Sequence, residues 1–558
     1  MLKKIFGRRP DHPLADVREV RKMLEELPRD DPLKALEELS FWLDSVRSAD
    51  SFRLTDQLAV LKSLDEAAQP ITRHLGDKYR RASRMNLLEE NRIWLVSFEF
   101  WKRVAAAYLH CIEQFEERVP GAEAIRGDLV LISTRAVRAL AQQNKWLYAR
   151  YRPYDERIWT ELAHLYLLAQ AQSFGRSLVT AYPGEAVKTT LVQEYLRALM
   201  LAVSAPDGLT PEQIEMADRV VTLFGGAFTL AETPQQDSMF YVDLSGRQPP
   251  ARLIKGTLLN AAMRFLSSGN AAKKLEALAA QIRQGMALTG TGLEEFDRHS
   301  LLEVLDSLQD YWAAEPAQRR FLRKKVVLRV QVVHGFKEIR RKIASLERSA
   351  VSGEPGNRDI LYQERLDLKL YGFVTEKTKR TMAEAATRAV ATEKEEEATE
   401  SWLVENISEC GYGAVIQNVG QDWVRVGMLI GMKPEGSQKW VVGVVRRLTR
   451  DRRHQVYVGI QAIDREAISA RLRPVGASVS AWDLTGDTMV HDIVPAFVLV
   501  RAPHCVGEEN TLLLEKGTFA VGKSYDLLMS AGARTIRLEK LLEEGVDFQR
   551  VSFLEISA

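Results

Sequence analysis

The hydrophobic period of this chain changes for good near Pro316, and that change constrains the fold more than any other feature. Up to about residue 310 apolar side chains recur every three or four positions, as in VREVRKMLEELP, LKALEELSFWLDSV and LTDQLAVLKSLDEAAQPITRHL. That spacing is the mark of helices with one buried face. After Pro316 the apolar residues alternate or run in short β-branched blocks, as in KVVLRVQVV, WVVGVVRRLT and QVYVGIQAI. A segment patterned for a helix cannot bury its apolar side as a strand, and the reverse also holds. The 558 residues must therefore divide into a helical part and a β-rich part, each with its own core.

Local signals refine this division. Pro28-Arg29-Asp30-Asp31-Pro32 ends one helix and opens the next, with Asp30 or Asp31 able to cap it, and Thr210-Pro211 opens another. The aromatic-rich RIWLVSFEFWKRVAAAYLHCIEQFEE and DLVLISTRAVRALAQQNKWLYARY are expected at the centre of the helical core. Between 228 and 258 the alternation in MFYVDL predicts a strand or two, or an extended excursion, and helices are expected to resume with LIKGTLLNAAMRFLSS and KKLEALAAQIRQGMAL. In the β-rich half, short strands separated by Gly, Asn, Asp and charged turns read as an antiparallel barrel. Residues 338–400 interrupt it as a partly helical insertion ending in the solvated acidic run ATEKEEEATE. A second small β-rich unit is expected after about residue 474, from SVSAWDL onward. The expected fold is a multidomain α+β chain: an all-α domain over 1–310, a barrel with its insertion over 311–470, and a C-terminal β-rich domain over 471–558.

Composition removes several function classes. Lys and Arg number 77 against 75 Asp and Glu, a net charge of +2, so a chain built to coat nucleic acid is not expected. Three cysteines are too few for a disulfide framework or a zinc site. No apolar run is long enough to span a membrane, and no apolar segment backs the basic N-terminus as a signal peptide would, so a cytoplasmic protein is expected. The chain lacks a GxxxxGK[ST] loop, a GxSxG elbow and an HExxH pair. No catalytic residue, metal or cofactor is expected, and the chain does not read as an enzyme.

One local charge imbalance stands out. From Arg319 to Lys342 there are ten basic residues and a single acid, Glu338. The cluster opens with Gln318-Arg319-Arg320-Phe321-Leu322-Arg323-Lys324-Lys325. Guanidinium groups form bidentate bonds to phosphate and to the O6/N7 edge of guanine, and they stack on base faces. Phe321 and Phe336 are the only aromatics here, too few for a stacking platform along a nucleic acid strand. Beyond the insertion comes Asn406-Ile407-Ser408-Glu409-Cys410-Gly411. On a strand followed by a turn Asn406 and Ser408 share one face, and Gly411 lets the backbone turn with no side chain in a ligand's way.

These two segments resemble the signature of the PilZ family, a bacterial receptor module for cyclic di-GMP. Its RxxxR segment is matched by Arg319 and Arg323, and its [DN]xSxxG segment by Asn406, Ser408 and Gly411. The strands WVVGVVRR and YVGIQ resemble the family's closing hairpin. The resemblance implies that Arg319 and Arg323, with Arg320 more loosely, grip phosphates and guanines while Asn406, Ser408 and Gly411 hold the other side of the nucleotide. It also implies a signalling effector that passes nucleotide binding to a protein partner, here through the helical domain. The alternative is a helical scaffold whose degenerate barrel binds protein without nucleotide. Asn406 lies 83 positions beyond Arg323, farther than is usual in the family. The two segments meet only if the insertion leaves the barrel and returns to it.

Overall fold

A computed structural model describes residues 12–49, 52–81, 85–315, 321–351, 399–416, 423–437, 439–453, 455–475, 493–500, 510–529 and 532–556. The chain divides into two compact units, Met1–Gln318 and Arg319–Ala558.

The first unit is mainly helical. It opens with α1 (Val17–Glu26), α2 (Pro32–Arg47), α3 (Leu54–Arg80) and α4 (Leu87–Glu116). It continues with α5 (Leu129–Tyr148), α6 (Glu156–Ala171), α7 (Leu191–Ala202) and α8 (Pro211–Leu223). The anticipated caps form: Asp31 accepts from the Lys34 amide, with Pro32 in the first turn. Thr210 closes a reciprocal capping box with Gln213. Helices α4 and α5 pack on each other, burying Phe100, Tyr108 and Ile112 of one and Ile132, Ala136 and Val137 of the other.

Next comes a four-stranded antiparallel sheet in the order β1-β4-β2-β3. Its strands are β1 (Thr229–Ala231), β2 (Phe240–Asp243), β3 (Ala251–Arg252) and β4 (Met263–Ser267). The expected helix over LIKGTLLNAAMRFLSS is corrected here, because MRFLS is strand β4. The apolar pair that a helix would have buried stays outside, with Leu258 88% and Leu259 53% exposed. Leu266 instead pairs with both Leu230 and Phe240 in the middle of the sheet. Two helices, α9 (Ala271–Arg283) and α10 (Arg298–Tyr311), complete the unit.

The second unit contains two closed six-stranded barrels. The first uses β5 (Lys324–His334), β6 (Glu400–Ser408), β7 (Gly411–Ile416), β8 (Leu429–Pro434), β9 (Val441–Arg450) and β10 (Val456–Asp464). They close in the order β10-β7-β6-β5-β8-β9, and every neighbouring pair is antiparallel. Val330, Val332, Trp402, Val404, Ala414, Leu448 and Val458 are buried in it. The second barrel is β11 (Ile468–Pro474), β12 (Val494–Val498), β13 (Thr511–Glu515), β14 (Ser524–Met529), β15 (Gly532–Glu544) and β16 (Phe548–Glu555). Its interior holds Leu472, Leu512, Leu514, Tyr525, Leu527, Ile536, Leu538 and Val551. The expected strand SVSAWDL lies outside the described residues.

The helical part of the insertion is α11 (Phe336–Val351), entered directly from β5, and residues 352–398 lie outside the described residues. Phe336, Ile339 and Ile343 of α11 share one apolar cluster with Leu429, Val442 and Val444 of the first barrel and Phe497, Leu513 and Phe548 of the second. The two barrels are thus joined through a common core. Among the described residues Cys111 is free and buried.

The turn from β15 to β16 reinforces the joint. The Val546 amide donates to the Gly427 carbonyl at 2.8 Å, and the Leu429 amide donates to Asp547 Oδ1 at 3.0 Å. Asp547 also accepts from the Phe336 amide that begins α11, and its Oδ2 is buried with no partner. Burial outweighs these donors and pushes its carboxyl up to about 6. A carboxyl raised in the folded state contributes stability at pH below its unfolded value of about 4, and that contribution is lost as pH rises through about 6. Two pKa units correspond to about 2–3 kcal/mol. Asp547→Asn keeps an acceptor for Leu429 and carries no charge. Urea unfolding between pH 4 and 7 should therefore show a stability loss in the parent that Asp547→Asn lacks.

Candidate functional site

The two sequence segments meet because β5 and β6 are neighbours. In their antiparallel register Lys324 faces Ile407 and Lys325 faces Asn406. Arg323 immediately precedes β5, and Ser408 is the last residue of β6. Facing residues on paired strands have Cα atoms about 5 Å apart, so the 81 positions from Lys325 to Asn406 close to a lateral contact. Arg323, Lys324 and Lys325 are exposed. Arg319 and Arg320 lie outside the described residues.

A β-bulge decides which face Asn406 and Ser408 present. Along β6, Trp402 and Val404 point into the barrel. The β6–β7 register shifts between Val404 and Asn406, leaving Glu405 as the extra residue. Side chains alternate along a strand, so without the bulge Asn406 and Ser408 would follow Val404 inward. With it they lie on the outer face.

Two lateral rows result. One runs Lys325, Asn406, Gly413, Gly459, Arg447, and the other runs Ser408, Gly411, Gln461. In β10 the residues flanking this face, Val458, Ile460 and Ala462, are buried, and Arg447 is exposed, so both rows lie on the barrel's outer surface. Three glycines form a floor between a basic and polar wall on one side and Gln461 and Arg447 on the other. Arg465 adds a further cation by donating to the Glu409 carbonyl at 2.7 Å.

Gly411 differs from the sequence expectation. It is the first residue of β7, and the turn is made by Glu409 and Cys410. A Cβ at Gly411 would run into the Ile460 carbonyl oxygen of β10, so glycine here admits the neighbouring backbone. Gly413 does a different job. A Cβ there would lie 2.6 Å from Asn406 Oδ1 and 2.8 Å from its Cγ, so the Asn406 amide lies across this glycine. Asn406 Oδ1 is buried with no hydrogen-bond partner among the described residues. Ser408 Oγ donates to the Gly411 carbonyl at 3.3 Å. The site thus offers guanidinium and ammonium charge, short polar groups and a bare floor, which together suit a flat polyanion.

Sequence reasoning missed Gly413, Gly459, Gln461 and Arg447. The available signal was a glycine inside each of two strand patterns, GYGAVI and YVGIQ, which marks close approach by another group.

Comparison with known families decides the assignment. Residues 18–235 match the family described as cyclic-di-GMP receptor FimW, N-terminal domain. Residues 352–468 match its middle PilZ domain. The chain belongs to the FimW receptor family. Its PilZ domain lies in the C-terminal half, where β6 to β10 carry the Asn406–Gly411 segment. The matched PilZ range begins beyond β5, so the basic cluster stands ahead of it and reaches the site through strand pairing. The C-terminal barrel beyond residue 468 lies outside both matches. Neither the curated proteins nor the solved structures hold a match.

The two glycines should respond differently to substitution. Gly411→Ala meets fixed backbone and should destabilise the barrel by about 1–3 kcal/mol in urea unfolding. Gly413→Ala meets only the end of a rotatable side chain, so it should leave stability within about 1 kcal/mol. It should nevertheless weaken cyclic di-GMP binding about tenfold by displacing Asn406.

Proposed function

We propose that cyclic di-GMP binds on the outer face of the first barrel, over the glycine floor. Arg323, with Arg319 and Arg320 ahead of it, takes phosphate oxygens and the acceptor edge of guanine. Asn406 and Ser408 hold the opposite side of the same nucleotide, and Gly411 leaves room above the floor. The observation that supports this reading most strongly is the β5–β6 register, which pairs Lys325 with Asn406 at the ends of the two strands that adjoin Arg323 and Ser408. The long insertion leaves through α11, yet the chain returns at β6 as the direct neighbour of β5.

The role this supports is that of a receptor whose output passes to a protein partner through the helical unit, acting in the cytoplasm where such a messenger is sensed. The chemistry asks only for charge, hydrogen bonding and shape. It needs no nucleophile or general base, and it favours an effector over an enzyme. Paired guanidinium contacts and a glycine floor would be superfluous in a scaffold that bound protein alone.

Calorimetry of the full chain with cyclic di-GMP tests the reading. Each charge-assisted contact contributes about 1.5–3 kcal/mol. Arg319→Ala/Arg323→Ala should therefore weaken binding by at least about 100-fold. The absence of heat from the parent, or equal binding by the double variant, would overturn the assignment.

A further inference from the structure

Gln461 stands at the far end of the row that runs from Ser408 across Gly411. Two strand spacings separate Ser408 from Gln461, about 10 Å, which leaves room for one purine laid over the glycine. The orientation of the Gln461 amide is chemically fixed. Arg446 Nε donates to Gln461 Oε1 at 2.6 Å, and arginine has no acceptor to offer, so the atom facing it must be the oxygen. Nε2 of Gln461 therefore faces away from Arg446 with its donors unassigned to any protein group among the described residues.

Arg446 is held in turn by the second barrel. Its Nη2 lies 2.6 Å from Glu543 Oε1 on β15, and Glu543 Oε2 lies 3.3 Å from Arg550 Nε on β16. The Glu543 side chain is 9% exposed and the Arg446 side chain 40%, so this ion pair is shielded from solvent on its carboxylate side only.

Resting on the site assigned above, we propose that Gln461 is a guanine-reading residue whose donor face is set by Arg446 and, through it, by Glu543 of the C-terminal barrel. With Oε1 turned toward Arg446, the Nε2 donors lead on the side of the amide away from it. Guanine offers two adjacent acceptors, O6 and N7, whereas adenine places its N6 donor beside N7. An amide that leads with its donors therefore favours cyclic di-GMP over cyclic di-AMP. Glu543 and Arg446 act as positioning residues, and the C-terminal barrel becomes part of nucleotide recognition.

The test measures affinity for both cyclic dinucleotides in the full-length parent, Arg323→Ala, Gln461→Ala, Glu543→Gln and the Gln461→Ala/Glu543→Gln double variant, with ligand-free melting recorded for each. Gln461→Ala and Glu543→Gln should each weaken cyclic di-GMP binding roughly 5- to 10-fold, with a smaller effect on cyclic di-AMP, so the selectivity ratio narrows. The double variant should be no worse than Gln461→Ala, because Glu543 acts through the glutamine. If the parent binds and Arg323→Ala does not, while Glu543→Gln keeps the parent's affinity and selectivity, the inference is wrong and the site stands. Equal loss for both dinucleotides would also overturn it, since that would show a merely structural role. A parent that binds neither would instead remove the site on which the inference rests.

Discussion

The antiparallel pairing of β5 with β6 is the interaction on which the rest of this receptor depends. It closes the first barrel, and it returns the chain to the barrel after α11 and the rest of the insertion. It also fixes Lys325 against Asn406. A slip of one residue in a strand whose other face is buried would exchange inward and outward side chains. The cost of exposing Val330, Val332 and Trp402 to water therefore guards the register that aligns the polar groups outside. Core packing on one face specifies binding geometry on the other.

The bulge at Glu405 is the second constraint. Barrel closure needs Trp402 and Val404 inside, whereas the proposed ligand contact needs Asn406 and Ser408 outside, and strict alternation cannot supply both. One extra residue resolves the conflict. The glycines complete the arrangement: Gly411 admits the β10 backbone and Gly413 admits the Asn406 amide. On the opposite side of the barrel α11 is wedged among residues of both barrels, and the Asp547 turn clasps the start of that helix and of β8. Changes at the nucleotide face can therefore reach the C-terminal barrel through packed side chains and the Arg446–Glu543 pair.

Much of this was legible in the chain. The change of period near Pro316 placed the helical and β-rich parts, and the caps at Asp31 and Thr210 form as their residue types require. The Arg323 and Asn406–Gly411 segments pointed to the correct family. The helix expected around Met263 was misread because its apolar residues fit both periods. Pairing with β1 and β2 decided for a strand, and Leu258 and Leu259 were left exposed. Gln461 and Arg447 escaped notice because their partners lie on other strands, at positions no local pattern encodes.

The sequence by itself determined which residues are apolar, at what spacing, and where charge concentrates. Those are local properties, and they sufficed for the helical and β-rich parts and for the family. The tertiary structure alone decided that Lys325 faces Asn406 across 81 positions, that Asn406 faces outward, and that Glu543 of the second barrel reaches Arg446. Each of these depends on strand register and closure. They arise from the simultaneous burial of many distant side chains, and no short stretch of sequence contains that sum.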